Sequence, residues 1–342
     1  MRYAYDWQVE TAAELGEKIG CVVFGDFDPD TPGEEIAALG GSGRVWIISW
    51  QDDRWAAVQV AQAPGEMIQG VAADLDPTVA GDELVLVGMA EGGEESGGAG
   101  AAFAAVRESS AHWKLVKLHE AGSLIHGVTA AELLPAPGPE LVLTGFDREV
   151  GVLARDAGGD FEYRVVAQLD GAGKNAAPHD DGVVVAVTDG SLLRVQPPLD
   201  GEHEFRVDTL FEHPAGLARL GSDGERVLIA ADDGQLMLVE PDGSSFAIHS
   251  ETQKLRGAVL ANLDPISKGL EAASVGYAGD LVVHRRGAAG GWSSELVTHD
   301  AERLHHLAVG LPAGRTSSLA LATAGYGGRV IVAWRQGRPV GD

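Results

Sequence analysis

LATAGYGGRVIVA (321–333) reads as an apolar run, a glycine-containing turn and a second apolar run. That is the signature of two short strands joined by a tight turn. The same pattern stands at IAALGGSGRVWII (36–48), LVLTGFDREVGVLA (141–154), VVAVTDGSLLRV (184–195), VLIAADDGQLMLV (227–239) and AASVGYAGDLVVH (272–284). Before the hairpin comes a short polar-Gly-apolar element, as in HGVTAAELLP (126–135) and RGAVLANLDP (256–265). After it comes an alternating, often aromatic strand, as in HWKLVKLH (112–119) and WSSELVTH (292–299). Alternation at period two marks a strand with one packed face and one solvated face.

Four strands repeated roughly every 45 residues predict an all-β fold, a seven-bladed β-propeller of four-stranded antiparallel blades. Residues 1–342 then form one domain, with blades at about 17–65, 66–123, 124–172, 173–214, 215–255, 256–304 and 305–338. The last repeat stops after its hairpin, while YAYDWQVETA (3–12) has an outer-strand pattern and no repeat of its own. Residues 3–12 are expected to complete the last blade and close the ring, which removes an open sheet edge. In the second repeat, MAEGGEESGGAGAAF (89–103) reads as a mobile loop on its Gly, Ser and Glu content.

The chain is acidic: 51 acids against 25 bases give a formal net charge of −26. Such a surface repels phosphate backbones and anionic membranes, so neither nucleic acid nor membrane is an expected partner. A small polar molecule or a protein is. The single cysteine, Cys21, lies in an apolar run and reads as a buried, inert thiol. The opening segment has no apolar core of signal-peptide length, and no stretch approaches a membrane span of about 18 apolar residues. The expected location is cytoplasmic. GxSxG elbows, P-loops and paired-cysteine metal motifs are absent from the sequence.

FGDFDPDTPGEE (24–35) resembles the FG-GAP/VCBS type of propeller repeat, whose loop after the first strand of a blade carries acids at alternating positions and can bind calcium. The resemblance puts Asp26, Asp28, Asp30 and Glu34 in the metal-ligand positions, with calcium or another divalent ion as cofactor. The second repeat keeps Asp74, Asp76 and Asp82 but has Thr78 where an acid stands in the first. The third keeps Glu132 and Glu140, and the sixth Asn262 and Asp264. The residues alone leave a second use open, because Asp and Asn also organise turns through their own backbone. Pro29, Pro77, Pro135 and Pro265 recur at one place in these loops and suit a structural role.

The first residues of the innermost strands gather at one end of a propeller's channel. Gln69, His126, Arg256, His305 and His306 stand there, with Asn175 and His179 in the less regular fourth repeat. Histidines and an arginine around a funnel suit a carbohydrate-like or anionic ligand, and neutral imidazoles also bind transition metals. The family resemblance further implies a metal-assisted carbohydrate lyase, dehydratase or isomerase. In that reading His126 or His306 abstracts a proton beside a carbonyl or carboxylate, and Arg256 stabilises the enolate. The alternative is a non-catalytic protein-interaction scaffold, and fold does not choose between them. His112, His119, His213, His249 and His299 read as surface residues of the outer strands, and Phe146, Tyr277 and Tyr326 as equivalent packing positions on the hairpins.

Overall fold

The computed structural model describes residues 2–31, 33–90, 98–109, 112–134, 138–156, 158–199, 204–264, 269–287, 290–316 and 318–340, with backbone alone at 2–5 and 337–340. Within them, twenty-eight strands form seven four-stranded antiparallel sheets. Among the described residues no helix is long and apolar enough to cross a membrane. Six sheets follow chain order, from the innermost strand outward, over residues 19–62, 67–121, 125–168, 173–212, 217–250 and 255–299. The seventh holds Leu304–Gly310, Ala320–Gly325 and Arg329–Val340, and its outer strand is the N-terminal Arg2–Glu14.

That closure runs the full length of the strand, from Arg2 opposite Val340 to Glu14 opposite Arg329. Its side chains join three parts of the ring. The Glu10 carboxylate accepts from Trp55 Nε1 of the first blade (2.9 Å) and from Arg315 of the last (3.1 Å from Nε). The Arg315 guanidinium is in turn stacked between Trp50 and Trp334. Arg315 first, with Trp55 beside it, holds the Glu10 carboxyl below its ordinary value.

The core is divided among the seams between blades. The seam between last and first blades packs Ile19, Val22, Ile36, Trp46, Val330, Val332 and Trp334. Six more clusters fill the remaining seams, and each takes side chains from two neighbouring sheets. Burial of both faces is why the middle strands read as unbroken apolar runs: Glu35–Gly40, Glu83–Met89 and Gly182–Val187 are buried at every residue.

Two expectations are corrected. Of the stretch 89–103, residues 91–97 lie outside the described residues, while Gly100–Ser109 is a strand. Ala101, Ala102 and Phe103 are buried in the seams to either side, so the described end of that stretch is packed strand. His213 is buried, not on the surface, because its Nε2 bonds Asp233 at 2.9 Å.

Candidate functional site

In all seven innermost strands, pairing to the second strand slips by one residue at the same place. The slip skips Gly20, Ile68, His126, Lys174, Ala218, Arg256 and His305. A β-bulge leaves the extra residue unpaired and re-aims its side chain. Here all seven bulge residues face a cavity of about 360 Å³ at one mouth of the channel. Phe146, Tyr277 and Tyr326, on the turns between second and third strands, form part of its wall. Tyr277 and Tyr326 meet edge to face at 6.0 Å.

The next residue in each strand, from Cys21 to His306, lies one level deeper. Gln69, Asn175 and His306 line a second cavity of about 210 Å³ on the far side, and Arg219 lines both cavities as the floor between them. The expected cluster therefore splits. His126, Arg256 and His305 share the mouth; Gln69, Asn175 and His306 sit below it; His179 lines neither cavity and is buried beside Asp180 at 3.6 Å. The bulge is the reason, since it places Gln69 level with His306 and not with His126. Backbones crowd at this lower level. A Cβ on Gly127 would lie 2.4 Å from Thr144 Oγ1 and 3.0 Å from the Asn175 backbone.

The histidines act as pins between blades. His126 donates from Nδ1 to the Lys174 carbonyl (2.8 Å), and His305 does the same to the Gly20 carbonyl (3.0 Å). Each bond runs from a bulge residue to the bulge residue of the next blade. His306 Nε2 lies 3.5 Å from Cys21 Sγ. Burial, then Arg219, drives His126 and His306 well below the usual imidazole range and His305 down to about 3. Burial likewise pushes the Cys21 thiol up to about 12.

Lys174 and Arg219 carry the chemistry that sequence reading missed. The mouth also holds two acids, and both are taken: Glu66 pairs with Lys18 at 2.6 Å, and Asp232 with Arg256 at 2.5 Å and Lys254 at 3.3 Å. Neither Lys174 nor Arg219 forms an ion pair among the described residues. Arg219 is 4% exposed; its Nη1 donates to the Lys174 carbonyl at 3.1 Å, and its Nε has no partner among the described residues. The Lys174 ammonium stands 4.7 Å over the Phe146 ring. Burial, then Arg219, lowers Lys174 to about 8, and burial lowers Arg219 to about 10. A usable signal existed. In six of the seven inner strands an apolar opening residue, such as Ile125, Leu217 or Leu255, and in the fourth Gly173, is followed first by the mouth residue and then by the floor residue.

At the other end of the channel the acidic loops do something else. Glu35 accepts from Phe27 N (3.0 Å) and Asp28 N (2.9 Å) of its own loop. Glu83 does so from Leu75 and Asp76, Glu140 from Leu133 and Leu134, and Glu271 from Leu263 and Asp264. All four glutamates are at most 3% exposed. The preceding acid reaches sideways. Asp82 accepts from Asp26 N of the first blade (3.0 Å), and Glu34 from Leu311 N of the last.

Of the expected ligands Asp26, Asp28, Asp30 and Glu34, the last three are engaged by other groups. Arg107 of the second blade already supplies a cation, 2.9 Å from Asp28 and 3.3 Å from Asp30, and Glu34 is turned to the last blade. Among the described residues no three His, Cys, Asp or Glu side chains form a group able to hold a metal. Pro135 and Pro265 lie outside the described residues.

No protein-family model and no curated protein matches the chain. Among solved structures it is similar to the WD40 β-propeller domain of Doa1, with 13% identity, a TM-score of 0.71, and 97% of each chain covered. That likeness is one of fold. The propeller is established by it and by the seven sheets, whereas the FG-GAP/VCBS resemblance has no family match behind it.

Proposed function

We propose that this protein is a non-catalytic protein-interaction scaffold that docks its partner over the face bearing the bulge-lined mouth. The observation that carries this reading is the rim. Phe146 and Tyr326 are 38% and 37% exposed, and Arg303 lies over Tyr277 and Tyr326 at 4.8 and 5.8 Å. Aromatic and arginine side chains around a solvent-open hollow are the composition of interface hot spots. The WD40 likeness supports the same direction at the level of fold. The proton-abstraction reading has weaker support. His126 and His306 are each already bonded or in contact, and imidazoles of such depressed basicity accept protons poorly near neutral pH.

The test compares tagged wild type, Phe146→Ser with Tyr326→Ser, and Val58→Ser, whose residue is 61% exposed on an outer strand away from the mouth. Crosslinking and mass spectrometry should find a partner bound by wild type and Val58→Ser and lost in the rim variant. Partners lost only in Val58→Ser, or turnover of a sugar acid by purified protein, overturn the proposal.

A further inference from the structure

Two positive charges are left over at the mouth once its pairs are matched. Among the charged side chains that line the cavity, Lys18 with Glu66 and Arg256 with Asp232 cancel, and the surplus is Lys174 and Arg219; Lys254, which shares Asp232, stands outside the lining. The chain as a whole carries −26, so a cationic hollow here runs against its composition. A guanidinium so deeply buried with an unpartnered Nε, beside a second cation, is a costly arrangement without a counter-charge. The cavity has room for one small anionic group, with the Lys174 ammonium and the Arg219 guanidinium both lining it. Arginine forks and lysine point charges are the usual donors to phosphate oxygens.

We propose that Lys174 and Arg219, with Arg256 beside them, form a binding site for a doubly charged oxyanion of the phosphate class. The match is one of charge: a dianion neutralises the surplus of two. A phosphoryl group on a docked partner and a free phosphate ester share this chemistry. The proposal rests on the mouth being the face that binds.

Isothermal titration of the full chain with inorganic phosphate, sulfate and acetate tests it. Phosphate and sulfate should bind saturably and acetate much more weakly. Lys174→Gln should weaken phosphate binding roughly tenfold or more, the effect of losing one charge-assisted hydrogen bond. Arg219→Gln should do the same; should that buried change unfold the chain, Lys174→Gln alone decides. No phosphate binding by wild type, or equal binding by wild type and Lys174→Gln, overturns the site. Adding phosphate to the crosslinking experiment identifies the source. Displacement of the partner assigns the anion to it, while Lys174-dependent phosphate binding with the partner undisturbed assigns the site to a free ester. Loss of the partner in the rim variant without any phosphate binding would leave the docking face intact and remove only the anion site.

Discussion

The two ends of the channel are built from the same seven strands by opposite rules. At the far end the same device recurs: a buried glutamate accepts from two successive backbone N–H groups of its own loop in four blades. At the mouth the bulge recurs in every blade, but the seven side chains it presents range from glycine and alanine to lysine and arginine. Repetition marks what the ring needs in order to stand. Variation on a repeated backbone device is what docking of a partner without the ring's symmetry, as proposed, would use.

The comparison first requires a closed ring, and the largest effect follows from opening it. Deleting residues 2–14 strips the outer strand from the last blade and uncovers Trp334, which is 2% exposed. Size-exclusion chromatography should show loss of monomer to aggregates, as a bare sheet edge and an uncovered seam dictate. A monodisperse truncated protein with unchanged melting would break the premise.

Next is the contrast between ends. Glu35→Ala orphans two backbone N–H groups and should cost about 2–4 kcal/mol in urea unfolding, whereas Lys174→Gln should move stability by less than about 1 kcal/mol. Equal effects would erase the distinction. A pH series refines it. Burial raises the Glu35 carboxyl from 4.5 to about 7, despite its two N–H bonds and aided by Asp28 and Asp26. The folded state therefore keeps a proton that the unfolded state has released. This stabilisation is complete below pH 4.5 and lost as pH rises through about 7. Glu35→Gln keeps an acceptor but cannot titrate, so wild type should gain on it steadily as pH falls from 7 to 5. Parallel profiles would refute the assignment.

The smallest effect belongs to the mouth. Sulfate keeps its charge across neutral pH, while Lys174, lowered first by burial and then by Arg219 and Arg256, with Lys254 adding to this and Asp232 opposing it, loses its proton near 8. Sulfate affinity should fall severalfold between pH 7 and 9 in wild type and stay flat in Lys174→Gln.

Architecture was legible because hairpins write themselves in sequence: glycine turns and apolar runs are local. The closing strand was legible by subtraction, as an outer-strand pattern without a blade. The mouth was only partly so. A bulge shifts side chains by one position without a residue type of its own to announce it, so Gln69 was grouped with His126 when it belongs with His306. Lys174 and Arg219 escaped notice because their importance lies in lacking carboxylate partners, a property of three dimensions. In the loops the alternating acids drew attention to a cation, while the glutamate one residue farther on holds the turn.

The closing strand also sets a clock. Its partner, Arg329–Val340, lies about 300 residues later, so during synthesis at ~5–20 residues per second Arg2–Glu14 waits unpaired for roughly tens of seconds. Asp6, Glu10 and Glu14 space negative charge along that waiting strand, which opposes pairing with a copy of itself on a neighbouring ribosome. Glu10 then finds Arg315 only when the last blade arrives, so the acid that guards the nascent chain becomes the latch of the finished one.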